Sequence, residues 1–190
     1  MKEYPYITAM IVARNEERYI ERCFRSLLEQ SYPADRYEVL IIDSLSDDRT
    51  LEIAREVEEK YSFRQTVDGQ DKIKIQVRYL TNSKKLLASG WNLGIKEAKG
   101  DYVIRIDAHG YADKDFILKS VETMLAIDDA VCVGGSMRTE AISEKGKIIA
   151  DVLSSPFGVG NSKFRYSQKA QYVDTVAFGL YKKSVFLEVG

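Results

Sequence analysis

Ile7-Thr8-Ala9-Met10-Ile11-Val12-Ala13-Arg14-Asn15-Glu16 is a near-continuous apolar run that stops at polar and charged residues. A run of this length without alternation reads as a strand covered on both faces. Asn15 stands where it can cap a following helix, with Glu16 and Glu17 in the first turn. Ile20, Cys23, Phe24, Leu27 and Leu28 then share one helical stripe. The chain therefore opens as strand, turn, helix. No glycine precedes Gly69. A dinucleotide-binding turn needs Gly-x-Gly-x-x-Gly so that backbone can approach a pyrophosphate. Its absence disfavours an NAD-type oxidoreductase.

The same unit recurs down the chain. Val39-Leu40-Ile41-Ile42 predicts a second buried strand ending at Asp43. Ser46, Asp47 and Asp48 can open a helix with the stripe Leu51, Ala54, Val57 and Tyr61. Residues 62–71 read as a loop and 73–80 as a strand. A helix over 86–98 is expected to stop at Gly100 in a left-handed conformation. Residues 102–106 predict a strand ending at Asp107, 116–127 a helix and 131–133 a strand. Beyond Ser136 the pattern weakens. Residues 154–162, with Pro156, Gly158 and Gly160, read as a mobile loop. Residues 173–180 read as a last strand and 183–189 as a short helix. Alternating strands and helices predict one α/β domain over 1–190 with a mainly parallel sheet. In such sheets ligands bind at the carboxyl ends of the strands, where Asp43 and Asp107 stand.

Composition narrows the function classes. The chain has 190 residues, 45% apolar and 30% charged, with 28 Lys and Arg against 29 Asp and Glu. A net charge of −1 gives no field for nucleic acid, so none is expected as a partner. Cys23 and Cys132 lie in apolar surroundings and read as reduced core residues. His109 is the one histidine, which excludes sites built from two or three imidazoles. No targeting segment and no stretch of about 20 apolar residues is visible, so a cytoplasmic location is expected.

Four groups of residues could carry chemistry. Asn15, after the first strand, is either a helix cap or a ligand contact. Asp43 can accept a hydrogen bond from a base or ribose, whereas Asp47 and Asp48 read as helix-start residues. Asp107 and His109 are spaced to share one side of an extended segment. A divalent ion bridging diphosphate oxygens needs only one or two protein ligands, so the pair suffices for one. A satisfied structural histidine is the alternative. Lys84 and Lys85 precede a helix and could meet phosphate, although a solvated face is the commoner outcome.

These motifs, in this order, resemble the family 2 glycosyltransferases with the GT-A fold. The resemblance rests on Ala13-Arg14-Asn15-Glu16, on Ile42-Asp43-Ser44-x-Ser46-Asp47-Asp48-x-Thr50, on Asn92-x-Gly94-x-x-x-Ala98-x-Gly100-Asp101-Tyr102, and on Asp107-Ala108-His109. Within the family it is similar to the succinoglycan-type exopolysaccharide (ExoA-like) subgroup, through Asp107-Ala108-His109, residues 155–160 and residues 173–176. The resemblance implies a Rossmann-like GT-A domain with a mixed, mainly parallel sheet. It implies an inverting transferase moving a sugar from a nucleotide-diphosphate donor, expected to be a UDP-sugar, to a saccharide or lipid-linked acceptor. Ala13, Arg14, Asn15, Glu16, Asp43, Ser44, Lys84, Asp107 and Ala108 would line the donor site. Asp107 and His109, standing at the family's Asp-x-Asp motif, would hold Mg²⁺ or Mn²⁺. Asp174 is the candidate acceptor contact.

Two departures qualify that expectation. Trp91 stands where many members carry an arginine that contacts phosphate, and Lys84 or Lys85 is the candidate to take over its role. The family's catalytic base lies in a segment expected beyond Gly190, so the C-terminal part of the catalytic domain is expected to be missing and no base is assigned. A nucleotide-sugar-binding module without catalysis is therefore the alternative reading. The full-length protein associating with the inner face of the membrane is left open.

Overall fold

β1 (Ile7–Ala13) and β2 (Tyr37–Asp43) bury all seven of their residues. They can do so because helices cover both faces of the sheet. A computed structural model describes residues 4–65, 71–141, 143–167 and 169–189. Between the first two strands runs α1 (Ile20–Leu28), and α2 (Thr50–Tyr61) follows β2. A two-stranded hairpin, β3 (Phe63–Gln65) and β4 (Lys72–Lys74), precedes β5 (Gln76–Thr81). Then come α3 (Leu87–Glu97), β6 (Tyr102–Asp107), α4 (Phe116–Ala126) and β7 (Cys132–Gly134). The remainder is α5 (Glu144–Leu153), α6 (Pro156–Val159), β8 (Gly179–Lys182) and α7 (Lys183–Val189).

The main sheet has the order β5-β2-β1-β6-β8-β7. Its first four strands are parallel, and β8 runs antiparallel to both β6 and β7. The alternation of β1 sorts the core into two layers. Ile7, Ala9, Ile11 and Ala13 pack with α1, α2 and α4 on one face. Met10 and Val12 pack with Leu40, Ile42 and Trp91 of α3 on the other. Each large apolar side chain buried this way contributes about 1.5–3 kcal/mol.

Several local expectations are corrected. Asn15 caps no helix: α1 starts at Ile20 and has no side-chain cap. The strand expected over 73–80 is broken at Ile75, whose amide bonds to Ser62, so β4 and β5 are separate. Of the loop expected over 62–71, residues 63–65 form β3, and 66–70 lie outside the described residues. Gly100 is not a left-handed stop. A Cβ there would lie 2.7 Å from the Thr8 amide and the Tyr6 carbonyl, so glycine serves close backbone approach. α5 was not foreseen, and α6 replaces part of the loop expected over 154–162. The last strand starts at Gly179, not at Val173.

Candidate functional site

Four turns leave the carboxyl edge of the parallel strands, after β1, β2, β5 and β6. The register sets Ala13 opposite Asp43 and Val12 opposite Asp107. Thr81, the last residue of β5, lies opposite Asp43. The turns after β1 and β2 are laced together. Asn15 donates its amide to Ser46 Oγ (3.0 Å), and its side-chain oxygen accepts from the Asp47 amide (3.0 Å). Glu16 and Glu17 donate their amides to Thr50 Oγ1 and Asp48 Oδ2. Asp48 also accepts from the Thr50 amide and hydroxyl, and its carboxyl sits below the usual range because these hydrogen bonds outweigh desolvation.

Asn15, Leu45 and Lys85 have φ of 56°, 58° and 57°. A left-handed backbone costs roughly 1–2 kcal/mol for a residue bearing a Cβ. One such residue sits in each of the turns after β1, β2 and β5. Strain gathered at one edge is characteristic of ligand sites.

Asp43 is buried, and its carboxylate accepts from the Ser46 amide (3.2 and 3.3 Å) and from Ser46 Oγ (2.6 Å). A carboxylate has about four lone-pair sites, so it can accept from a ligand as well. Ser44 beside it receives the Asn82 side-chain amide (2.9 Å), which also reaches the Leu86 carbonyl. Asn82 is buried and in turn accepts from Ser89 Oγ. Sequence reasoning missed Asn82, although it follows an apolar strand much as Asp43 does.

Asp107 closes β6. Its Oδ1 is buried without a hydrogen-bond partner and lies 3.8 Å from Arg105 Nε. The Arg105 guanidinium sits over the Trp91 ring at 5.1 Å, and Trp91 Nε1 is likewise unpaired. Ala108 and His109 lie in a turn closed by the Gly110 amide on the Asp107 carbonyl (2.8 Å), not in an extended segment. His109 Nδ1 comes within 3.5 Å of Glu16 Oε1, which joins the β6 turn to the β1 turn.

α1 holds the β6 turn from below. Ser26 Oγ receives the Ala112 amide, and the buried Gln30 bridges the Asp113 carbonyl and the Ile117 amide. The Cys23 thiol donates to the Asp107 carbonyl (3.5 Å). Burial first, then the charges of Asp107 and Glu16, push that thiol far up, so it is no nucleophile.

The other expected residues divide. Ala13 and Ala108 are buried in the core, leaving only backbone for a ligand. Arg14 and Lys84 are exposed near the site edge. Asp174 is also exposed, in the segment between β7 and β8, and accepts from Asn161 Nδ2 (3.4 Å). That hydrogen bond goes to Asn161 and not to Asp43 or Asp107. That segment is pinned to α1 by Glu140, which pairs with Arg22 (2.7 Å) and receives the Tyr111 hydroxyl. A cavity of about 850 Å³ lies elsewhere, on the outer side of α1 among Arg18, Arg25, Lys60 and Arg64, and contains none of the site residues.

Among the described residues no group of three or more His, Cys, Asp or Glu side chains converges on one point. Asp107, whose Oδ1 has no hydrogen-bond partner but lies 3.8 Å from Arg105 Nε, and His109 two residues on are donors of the kinds that hold a divalent cation whose other ligands are diphosphate and water.

Residues 8–189 match the family described as Glycosyl transferase family 2. The chain is 32% identical over 187 residues to the dolichyl N-acetyl-alpha-D-glucosaminyl phosphate 3-beta-D-2,3-diacetamido-2,3-dideoxy-beta-D-glucuronosyltransferase of Methanococcus voltae, covering 96% of this chain and 54% of that protein. It is 32% identical over 184 residues to the succinoglycan biosynthesis protein ExoA of Rhizobium meliloti, covering 95% and 51%. The chain thus spans about half the length of these curated relatives. The mannosyltransferase PcManGT from Pyrobaculum calidifontis, solved with GDP-Man and Mn²⁺, matches with a TM-score of 0.65 at 18% identity, covering 100% of this chain and 48% of that one.

Proposed function

The chain belongs to glycosyl transferase family 2, with a GT-A fold, and on that footing we propose that it supplies the donor site of an inverting transferase. The donor is a nucleoside-diphosphate sugar, with a UDP-sugar the first candidate. The acceptor is a saccharide or lipid-linked saccharide, and the product enters a cell-surface polysaccharide. The Methanococcus voltae relative, named for a dolichyl phosphate-linked sugar, and ExoA, named for succinoglycan synthesis, support that acceptor class. The protein works in the cytoplasm, and in full-length form at the inner face of the membrane.

The observation that carries the reading is the pair of carboxylates, Asp43 and Asp107, at the carboxyl ends of the two strands that flank β1. Asp43 accepts a hydrogen bond from the base. Asp107 faces the ribose or the cation-bound diphosphate, and His109 reaches the same cation directly or through water. Asn15 and Glu16 line the nucleotide pocket, and Lys84 stands ready for phosphate. Mg²⁺ or Mn²⁺, when bound, neutralises the charge that builds on the diphosphate. An acceptor hydroxyl attacks the anomeric carbon as the carbon–oxygen bond to the diphosphate breaks, and its proton passes to a base that no residue of this chain is assigned to supply.

Titration calorimetry with UDP, UDP-GlcNAc and GDP-Man, each with Mn²⁺, Mg²⁺ or EDTA, tests this. Cation-dependent binding of a nucleotide diphosphate is expected, and its absence in folded protein would overturn the reading. A second reading, a nucleotide-sugar-binding module without turnover, is favoured by the position of Asp174, exposed and bonded to Asn161. Donor binding without donor hydrolysis or transfer would select it.

A further inference from the structure

Three buried polar atoms without a hydrogen-bond partner lie around one guanidinium: Arg105 Nε, Asp107 Oδ1 and Trp91 Nε1. Folded proteins pair nearly all such atoms, so a group of them calls for a cause. Arg105 and Asp107 stand two apart on β6, and their side chains leave the same face of the sheet. Arg105 lies opposite Met10, on the face that α3 covers. Glycines bring that helix close. A Cβ at Gly90 would lie 2.7 Å from Val12 Cγ1, and one at Gly94 2.7 Å from Met10 Sδ. Trp91 is thereby set under the Arg105 guanidinium, 5.1 Å from the ring centre.

Held there, Arg105 compensates Asp107 without occupying it. At 3.8 Å its Nε is too far from Oδ1 to hydrogen-bond and near enough to offset the charge. Asp107 is the one carboxylate within ion-pair distance of Arg105 among the described residues. A second ionisable neighbour, the Tyr181 phenol, is pushed up to about 12, by burial first, and stays neutral. The charges then balance in two states only. With neither ligand, Arg105 and Asp107 cancel. With a divalent cation and the doubly negative diphosphate of a nucleotide sugar, the site is balanced again. A cation alone leaves two positive charges over, and a diphosphate alone two negative ones. Glu16, beside His109, adds the same charge to every state and leaves these differences intact.

We infer that Arg105 is the resident counter-ion of Asp107 and sets the order of loading. It repels a cation that arrives alone and attracts a diphosphate, so the cation settles together with the donor. Arg105 acts through the charge it places beside Asp107 and is a positioning residue. This role presupposes the proposed donor site.

The test compares wild type, Arg105→Gln and Arg105→Lys at low salt, with free Mn²⁺ read by electron paramagnetic resonance and nucleotide by calorimetry. Without nucleotide, Arg105→Gln should bind Mn²⁺ roughly tenfold more tightly. In EDTA it should bind UDP-GlcNAc roughly tenfold more weakly. Mn²⁺ and UDP-GlcNAc added together should bind within about threefold of wild type, because the two changes offset. Arg105→Lys, which keeps the charge, should stay close to wild type in all three. A structural role alone would weaken every arm and tighten none. Mn²⁺ binding no tighter in Arg105→Gln would overturn the inference, as would an equal change in Arg105→Lys. Circular dichroism checks the fold, and Arg105→Met, which keeps an apolar stem over Trp91, serves if Arg105→Gln does not fold. Failure of every protein to bind UDP-GlcNAc would count against the donor site, while the Mn²⁺ arm, which needs no nucleotide, still decides on Arg105.

Discussion

The parallel strands and the segment between β7 and β8 are two kinds of structure in one chain. β1 and β2 bury every residue, whereas between β7 and β8 Ala150 alone among the described residues is buried. The first region is held by apolar packing on both faces of the sheet. The second is held by serine caps, the Met137 amide on the Phe164 carbonyl, and the Glu140 contacts with Arg22 and Tyr111. Structure resting on a few exposed polar contacts opens at lower free energy than a core does. The division suits the proposed function, in which a donor site on the parallel strands needs fixed geometry.

The largest effect that bears on this contrast is in stability. Ile41→Ala should cost about 2–5 kcal/mol, and Ile148→Ala no more than about 0.5 kcal/mol, both read by urea denaturation. Equal costs would erase the distinction. Next comes ligand binding. Asp107→Asn should weaken cation-dependent donor binding about 10–100-fold, the loss of a hydrogen bond to charge. Asp174→Asn should leave donor affinity unchanged in the same calorimetry. If the two effects were reversed, the donor site would not belong to the parallel strands. Asn82→Ala should cost about 1–2 kcal/mol in thermal unfolding, since Ser44 and Ser89 lose their partner.

The smallest effect concerns acid. Hydrogen bonds from Arg22 and Tyr111 hold the Glu140 carboxyl below its usual range. A carboxyl lowered on folding stabilises fully above its unfolded pKa, about 4.3, and loses that contribution as pH falls through the folded value. Amide hydrogen exchange in residues 136–141 should therefore accelerate relative to that in β1 below about pH 4. The Glu140→Gln variant should exchange faster at neutral pH as well. Equal protection of both regions on acidification would show that the segment does not depend on that anchor.

The same contrast explains what could be read in advance. The strands ending at Ala13, Asp43 and Asp107 and the stripes of α1, α2 and α4 were legible, because burial on a regular element leaves a period in the sequence. α5 was not, because its outer face is as apolar as its inner one and no clean period results. Asn15 illustrates a different failure. Its residue type signals a cap, but the same side chain tolerates φ of 56° and bonds across to Asp47, a partner 32 residues away. His109 comes to Glu16 through a turn and not through the extended spacing expected for it, because the chain turns directly after β6. Arg105 and Trp91 meet through packing between β6 and α3, and no local spacing announces such a meeting.

The strand order has a consequence in time. β8 is inserted between β6 and β7, so the outer edge of β6 waits for residues made about 75 positions later. At roughly 5–20 residues per second of synthesis, that edge stays open for about 4–15 s on the ribosome. β7, already made, pairs with no strand but β8 among the described residues. A nascent chain at this stage displays an unpaired strand bearing Val103 and Ile104, the kind of edge that recruits other chains. Translation that pauses before Gly179 prolongs the exposure, and β8 ends it.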